Sequence, residues 1–234
     1  MESCIKDVII EHLINNELIL DSQHGFLPGK SCTTNLLSYL NEVTSNLDKG
    51  FPYDVIMIDF RRAFDVVPFR MLLRKLEAHG IRGNLLNWLS DWTKGRAQRV
   101  VLNGINSSWA DVLSSVVQGS VLGPVLFTIF INDIDTVITD PRTKMFKYAD
   151  DSKFGRPICS ETDALSLQSA IDNVCRWAQK WGMEIHPEKT HVLHFGHGNP
   201  EFEYSLNVRK YRRLSQRGIW VLRYTVHVHL RNTS

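Results

Sequence analysis

The chain has 234 residues, 43% of them hydrophobic and 22% charged, with a formal net charge of +2; that suffices for one domain, or two closely packed lobes, around a real core. No apolar run approaches the ~20 residues a membrane-spanning helix needs. Met1-Glu2-Ser3-Cys4-Ile5-Lys6-Asp7 lacks the basic-then-apolar pattern of a secretory leader, so an intracellular protein with no membrane segment is expected. Cys4, Cys32, Cys159 and Cys175 show no Cys-x-x-Cys spacing, which argues against a zinc site and for reduced, buried thiols.

Along the chain, Ile5, Val8, Ile9, Leu13, Leu18 and Ile19 fall near helical spacing and predict one amphipathic helix over 5–20. A loop rich in proline and glycine covers 25–29, and Thr33 and Thr34 are the expected caps of a helix through Leu36, Leu37, Leu40 and Val43. Val55-Ile56-Met57-Ile58 is short, apolar and β-branched, so a buried strand is expected to end at Asp59. Helical periods cover 69–79 and 84–92, separated by Gly80 and Gly83. Asn103-Gly104 marks the turn of a hairpin over 99–112. A glycine-bearing loop at 118 leads into a buried helix reaching 130. Strands over 145–148 and 152–154 flank a tight turn at Ala149-Asp150-Asp151, an amphipathic helix spans 165–181, and a last strand covers 191–195. This order predicts an α+β fold, an antiparallel sheet with helices on one face. From Tyr204 onward acidic residues vanish, while Arg209, Lys210, Arg212, Arg213, Arg217, Arg223 and Arg231 accumulate.

Two carboxylate positions stand at the ends of apolar strands: Asp59 and the pair Asp150-Asp151. If those strands are neighbours, three carboxylates converge at one edge, and anions so close repel unless a cation neutralises them. Hard oxygen donors favour Mg²⁺ or Mn²⁺. Two such ions ~3.5–4 Å apart can activate a 3′-hydroxyl and stabilise a pyrophosphate leaving group. An Asp-Asp pair in a turn is by itself usually solvated turn chemistry, so its company decides.

That company is informative. Ile58-Asp59-Phe60-Arg61-Arg62-Ala63-Phe64-Asp65, Gln118-Gly119-Ser120-Val121-Leu122-Gly123-Pro124 and Tyr148-Ala149-Asp150-Asp151 occur in this order. They resemble motifs A, B and C of the reverse transcriptases of non-LTR (LINE-type) retrotransposons. Gln23-His24-Gly25-Phe26-Leu27-Pro28-Gly29-Lys30-Ser31 resembles a fingers motif of that family and Pro187-Glu188-Lys189-Thr190 its motif D; the resemblance spans about 1–207. It implies a right-hand polymerase fold, fingers and an antiparallel palm sheet. Fingers would lie over 1–54, palm motif A over 55–70, a fingers–palm connection over 71–112, palm motifs B, C and D over 113–207, and an atypical basic tail over 208–234 where most of the thumb is missing.

The resemblance further implies an RNA-directed DNA polymerase that adds dNTPs to a DNA primer on an RNA template with two Mg²⁺ ions, Mn²⁺ being the alternative. Asp59, Asp150 and Asp151 would be catalytic and hold metal, Asp151 less directly, with the carbonyl of Phe60 completing one shell. Phe64 would sit under the sugar of the incoming nucleotide and reject a 2′-hydroxyl, Gln118 and Gly119 would line the templating pair, and Lys30 and Lys189 would meet the triphosphate. A core ring for Phe64 and a solvated side chain for Lys189 are the alternatives. Asp65 reads as structural, bonded to nearby backbone.

Two departures stand out: Leu27 where the family carries a phosphate-gripping arginine, and Val117 where it carries proline. Together with the foreign tail and no preceding endonuclease, they lead us to expect a truncated retroelement fragment. A nucleic-acid-binding relic without turnover, a group II intron-type maturase and an RNA-dependent RNA polymerase are the alternatives. A phosphate loop at Gly25–Ser31 is rejected, because only three residues separate its glycines.

Overall fold

The computed structural model describes residues 1–206 and the backbone of Arg212–Arg213. Helix α1 (Glu2–Asn15) buries Ile9 and Leu13 and stops earlier than its periodicity predicts. Glu17 takes φ +52°, and the Leu18 amide bonds back to the Leu13 carbonyl. The cause lies elsewhere in the chain. Leu18 and Ile19 pack against the core, and the Asn132 side chain bonds both the Leu18 carbonyl (2.7 Å) and the Leu20 amide (3.0 Å). Helix α2 (Cys32–Asp48) is capped by Ser31 rather than Thr33: the Ser31 hydroxyl accepts the Thr34 amide, and the Thr34 hydroxyl accepts the Ser31 amide. It turns Asn35, Tyr39 and Val43 inward and leaves Leu36, Leu37 and Leu40 exposed.

Strand β1 (Tyr53–Ile58) is followed by α3 (Ala63–Val66), α4 (Phe69–Ala78) and α5 (Gly83–Thr93). An exposed arm then runs through β2 (Ala97–Gln98), β3 (Val101–Leu102), β4 (Ile105–Asn106) and β5 (Ala110–Asp111). Its tip is the expected hairpin, with Asn103 and Gly104 at φ +50° and +79°, as a two-residue turn of this hand requires. Helix α6 (Gly123–Ile131) is almost wholly buried, opens with Pro124 in its first turn, and passes into a 3₁₀ segment, Asn132–Val137. Then come β6 (Lys144–Tyr148), β7 (Asp151–Pro157), α7 (Glu161–Trp181), β8 (His191–Phe195), and β9 (Ser205–Leu206), which pairs with β10 (Arg212–Arg213). Apart from β10, the tail read as atypical lies outside the described residues.

The central sheet has the order β6-β7-β1-β8 with every pair antiparallel, so the α+β expectation holds. The main core joins Ile56 and Ile58 of β1 and Phe154 of β7 to α4, α6 and α7. Helices are not confined to that face. Tyr39 and Val43 of α2 close over Tyr53, Val55 and Phe146 on the other. A central strand buried on both faces needs no polar alternation, which is why Tyr53 to Ile56 all lie inside. Met57 falls outside the α2 cluster and is 40% exposed, so the expected four-residue buried run is broken there. Alternation puts Asp59 on that same open side.

The thiols also differ from expectation: all four are free, but only Cys175 is buried. Cys4 and Cys32 sit in the first turns of α1 and α2, and Cys159 just before α7, positions that face water. Among the described residues no helix is long and apolar enough to cross a membrane.

Strands β1 and β7 pack tightly at Gly155, where an added Cβ would lie 2.4 Å from the Asp54 carbonyl oxygen and 2.7 Å from the Tyr53 ring. Gly155→Ala is therefore expected to destabilise the fold by about 1–3 kcal/mol, read as a lower melting temperature.

Candidate active site

Asp59 leaves the end of β1, and Asp150 occupies the turn between β6 and β7. Because β7 pairs with β1, Ile58 opposite Ser152, both carboxylates reach one sheet edge and line one pocket with Phe60, Phe64, Gln118, Glu188 and Lys189. The pocket encloses about 650 Å³, within the range of small-ligand sites. Burial pushes the Asp150 carboxyl above the usual carboxylate value, its own backbone amide draws it back, and the charges of Asp151 and Asp59 add to the rise. Lys189 Nζ lies 4.0 Å from Asp59 Oδ2 and is largely exposed.

Asp151 behaves differently. It begins β7, is exposed, and is not part of the pocket lining. Among the described residues no group of three or more His, Cys, Asp or Glu side chains is close enough to hold a metal ion. Of the three expected carboxylates, Asp59 and Asp150 line the pocket and Asp151 does not. Asp150 lies in the turn, whereas Asp151 already belongs to β7, paired with Tyr148 of β6. Two carboxylates still fit a divalent cation such as Mg²⁺, which takes one or two protein carboxylates and fills its shell with water and substrate phosphate. The raised Asp150 carboxyl beside Asp59 is the electrostatic situation a cation relieves.

The backbone around Asp59 is held by a segment that sequence reasoning assigned only to Lys189. The Asp59 carbonyl accepts the His186 amide (2.8 Å), and the Arg61 amide donates to the Glu184 carbonyl (2.7 Å), so Phe60 bridges Ile185. These bonds leave the Phe60 carbonyl out of the pairing. The Asp59 amide also donates to the Thr190 hydroxyl at 3.4 Å. The motif at 187–190 is legible in the sequence; its grip on Asp59 is not, because it depends on a pairing across 131 residues of chain.

Phe64 stacks on Phe127 with centroids 4.2 Å apart and meets Phe26 edge-on at 6.2 Å. It is half-buried against the core and still lines the pocket. Gln118 donates its side-chain amide to Asp65 Oδ1. Asp65 is therefore bonded to a distant side chain and not to nearby backbone as expected, since the loop after α3 folds against the loop before α6. Gly119 takes φ +77° with open space around it, which leaves the loop free of a side chain on that side. Lys30 is not part of the pocket lining; its ammonium donates to the Asp21 carbonyl (2.7 Å) and lies 3.5 Å from the Asp21 carboxylate.

Comparison with known proteins gives the family of the chain. Residues 1–222 match the family model described as reverse transcriptase (RNA-dependent DNA polymerase). The chain is 26% identical over 151 residues to the Pol polyprotein of the type-1 retrotransposable element R2 of Popillia japonica, covering 60% of this chain and 24% of that protein. It is 27% identical over 199 residues to a probable RNA-directed DNA polymerase from transposon BS of Drosophila melanogaster, covering 81% and 21%. To the RNA-directed DNA polymerase of the mobile element jockey of Drosophila funebris it is 27% identical over 196 residues, covering 77% and 21%. The chain thus spans about a fifth to a quarter of these relatives. Among solved structures, apo telomerase from Candida tropicalis truncated from its C-terminal domain superposes with a TM-score of 0.63 at 12% identity, over 87% of this chain and 42% of that one, a likeness of fold alone. With nearly its whole length matched, this chain belongs to the reverse transcriptase (RNA-dependent DNA polymerase) family, and its named relatives are enzymes of non-LTR retrotransposons.

Proposed function

We propose that the chain is the nucleotide-adding part of an RNA-directed DNA polymerase, extending a DNA primer with dNTPs on an RNA template. The observation that carries the reading is the meeting of Asp59 and Asp150, from separate strands, in one pocket that also holds Phe64, Gln118 and Lys189. Asp59, Asp150 and the Phe60 carbonyl would hold divalent cations, Mg²⁺ or Mn²⁺, with Asp151 in a less direct role. When bound, two such ions lower the barrier by activating the 3′-hydroxyl and stabilising the leaving pyrophosphate. Lys189, close to Asp59, would face the phosphates and offer charge or a proton to the leaving group. Gln118, held by Asp65, and Gly119 would border the templating pair. Lys30 reaches the triphosphate in this reading only by leaving Asp21. Fingers over 1–54 and palm over 55–70 and 113–207 complete the assignment.

Phe64 would set sugar selectivity. The stacked Phe127 ring fixes it in place, so a 2′-hydroxyl above it meets a wall that does not yield. Phe64→Val is expected to lower the ratio of kcat/KM for dNTPs over rNTPs about tenfold or more, as a change of ~1–3 kcal/mol in a pocket contact would.

Primer extension on an RNA template with Mg²⁺, wild type beside Asp150→Asn, tests the function; equal extension by the two would remove this site. One observation favours a competing reading, nucleic-acid binding without turnover: Asp151 and Lys30 both stand outside the pocket lining. Sustained extension by the wild type would end that reading, and a preference for rNTPs would replace the first with an RNA polymerase.

A further inference from the structure

The turn that carries Asp150 is gripped from outside motif C by Gln23, a residue with no exposed surface. Gln23 Oε1 accepts the amides of Gly25 (2.7 Å) and Ala149 (3.0 Å), and Gln23 Nε2 donates to the Ala149 carbonyl at 3.4 Å. Both ends of one side-chain amide thus hold the backbone of a single residue, the one before Asp150. The surrounding backbone reinforces this: the His24 amide bonds the Lys147 carbonyl (2.9 Å) and the Lys147 amide bonds the Ser22 carbonyl (2.8 Å).

Ala149 has φ +56°, a left-handed conformation that costs a residue with a Cβ about 1–2 kcal/mol. Such a turn persists only where neighbours over-determine it. Gln23 is one such neighbour and Gly25 is the other. A Cβ on Gly25 would fall 2.4 Å from the Ala149 nitrogen, so the chain passes the turn at a distance that only glycine allows.

We propose that Gln23 is a positioning residue for Asp150. Acting through the Ala149 backbone, it fixes the Asp150 carboxylate against Asp59 and so sets the pocket's affinity for a divalent cation. This rests on the reading of Asp59 and Asp150 as metal-holding carboxylates. A filler of the core at position 23 would influence melting temperature alone; a positioning residue changes cation affinity in protein that is still folded.

Two variants disturb the same contact from opposite sides. Gln23→Met keeps length and volume but has no amide to grip Ala149, whereas Gly25→Ala leaves Gln23 in place and pushes the turn. Mn²⁺ binding to the full chain, followed by electron paramagnetic resonance of the free ion, is expected to weaken about 10–100-fold in each, the usual effect of removing a group that orients a metal ligand. Arg156→Ala, which destabilises the far end of β7, is expected to leave Mn²⁺ affinity unchanged in the folded fraction. Hydrogen exchange of the wild type adds a readout that needs no variant: the Ala149 amide is expected to be strongly protected. Wild-type Mn²⁺ affinity in folded Gln23→Met or Gly25→Ala overturns the inference alone, as does an unprotected Ala149 amide. A wild type that binds no Mn²⁺ overturns the metal-site reading, and the inference with it.

Discussion

Asp150→Asn is expected to lower primer extension at least about a thousandfold while leaving the protein as stable as the wild type or more so. Loss of a single preorganised electrostatic group in an active site already costs about 10²–10³ in rate, and here the substitution removes one of the two pocket-lining aspartates that stand at the ends of the palm strands. The stability side runs the other way. Burial, with the charges of Asp151 and Asp59 behind it, holds the Asp150 carboxyl above its ordinary value. A carboxylate raised by folding weakens the fold once pH exceeds the unfolded value, because the native state then binds the proton more tightly than the unfolded chain does. A neutral side chain of the same shape removes that penalty at neutral pH. Extension assays and thermal unfolding on one preparation check both parts. Activity and melting temperature falling together would indicate misfolding and not lost chemistry. Asp151→Asn is expected to do less, since Asp151 stands exposed outside the pocket lining.

The second large effect concerns stability. Arg156→Ala is expected to cost about 3–5 kcal/mol, the loss seen when one partner of a buried ion pair is removed. Arg156 is completely buried near the end of β7, where its guanidinium donates to Asp140 (2.6 Å) and Asp163 (2.8 Å). Asp163 also accepts the Cys159 amide (3.0 Å), the Ser160 hydroxyl (2.9 Å) and Arg142 (2.6 Å), so the cluster ties β7 to the start of α7 and to the loop before β6. For a chain of this size the loss corresponds to roughly 6–20 °C in melting temperature.

The pH dependence of that difference has a definite sign. Burial would raise both carboxyls, but the Arg142 amide and Arg156 outweigh it at Asp140, and the Cys159 amide, the Ser160 hydroxyl and the two arginines outweigh it at Asp163. Both therefore lie below the ordinary 3.8. Carboxyls depressed by folding stabilise above the unfolded value, and that stabilisation is lost as pH falls through the folded values. The melting-temperature gap between wild type and Arg156→Ala is expected to be full at neutral pH and to narrow below about pH 4. A gap that widened in acid would contradict the assignment.

Much of the fold is legible in the order of the residues, and the reason is locality. The helical periods of α4, α5 and α7, the Asn103-Gly104 turn, and the strands on either side of Ala149 depend on neighbours a few residues apart. The departures from expectation are matters of distance. Helix α1 ends short of Leu18 and Leu20, whose backbone is held by Asn132, the cap of α2 falls two residues before Thr33 because Ser31 and Thr34 answer each other, and Met57 escapes burial because α2 does not extend over it.

The aspartates show where the two kinds of information divide. Sequence by itself determined that Asp59 closes an apolar strand, that Asp150 and Asp151 sit in a turn, and which family the surrounding motifs belong to. Those facts follow from residue order and short-range propensity. Only the tertiary structure decided that β7 lies beside β1, that Asp150 and not Asp151 shares the pocket with Asp59, that Lys30 turns to Asp21, and that Gln118 is held by Asp65. It also decided that Gln23 grips the residue before Asp150 from 126 positions away. Strand pairing and the choice of a buried hydrogen-bond partner are set by which surfaces the whole chain brings together, and no short window of sequence contains both sides of such a contact.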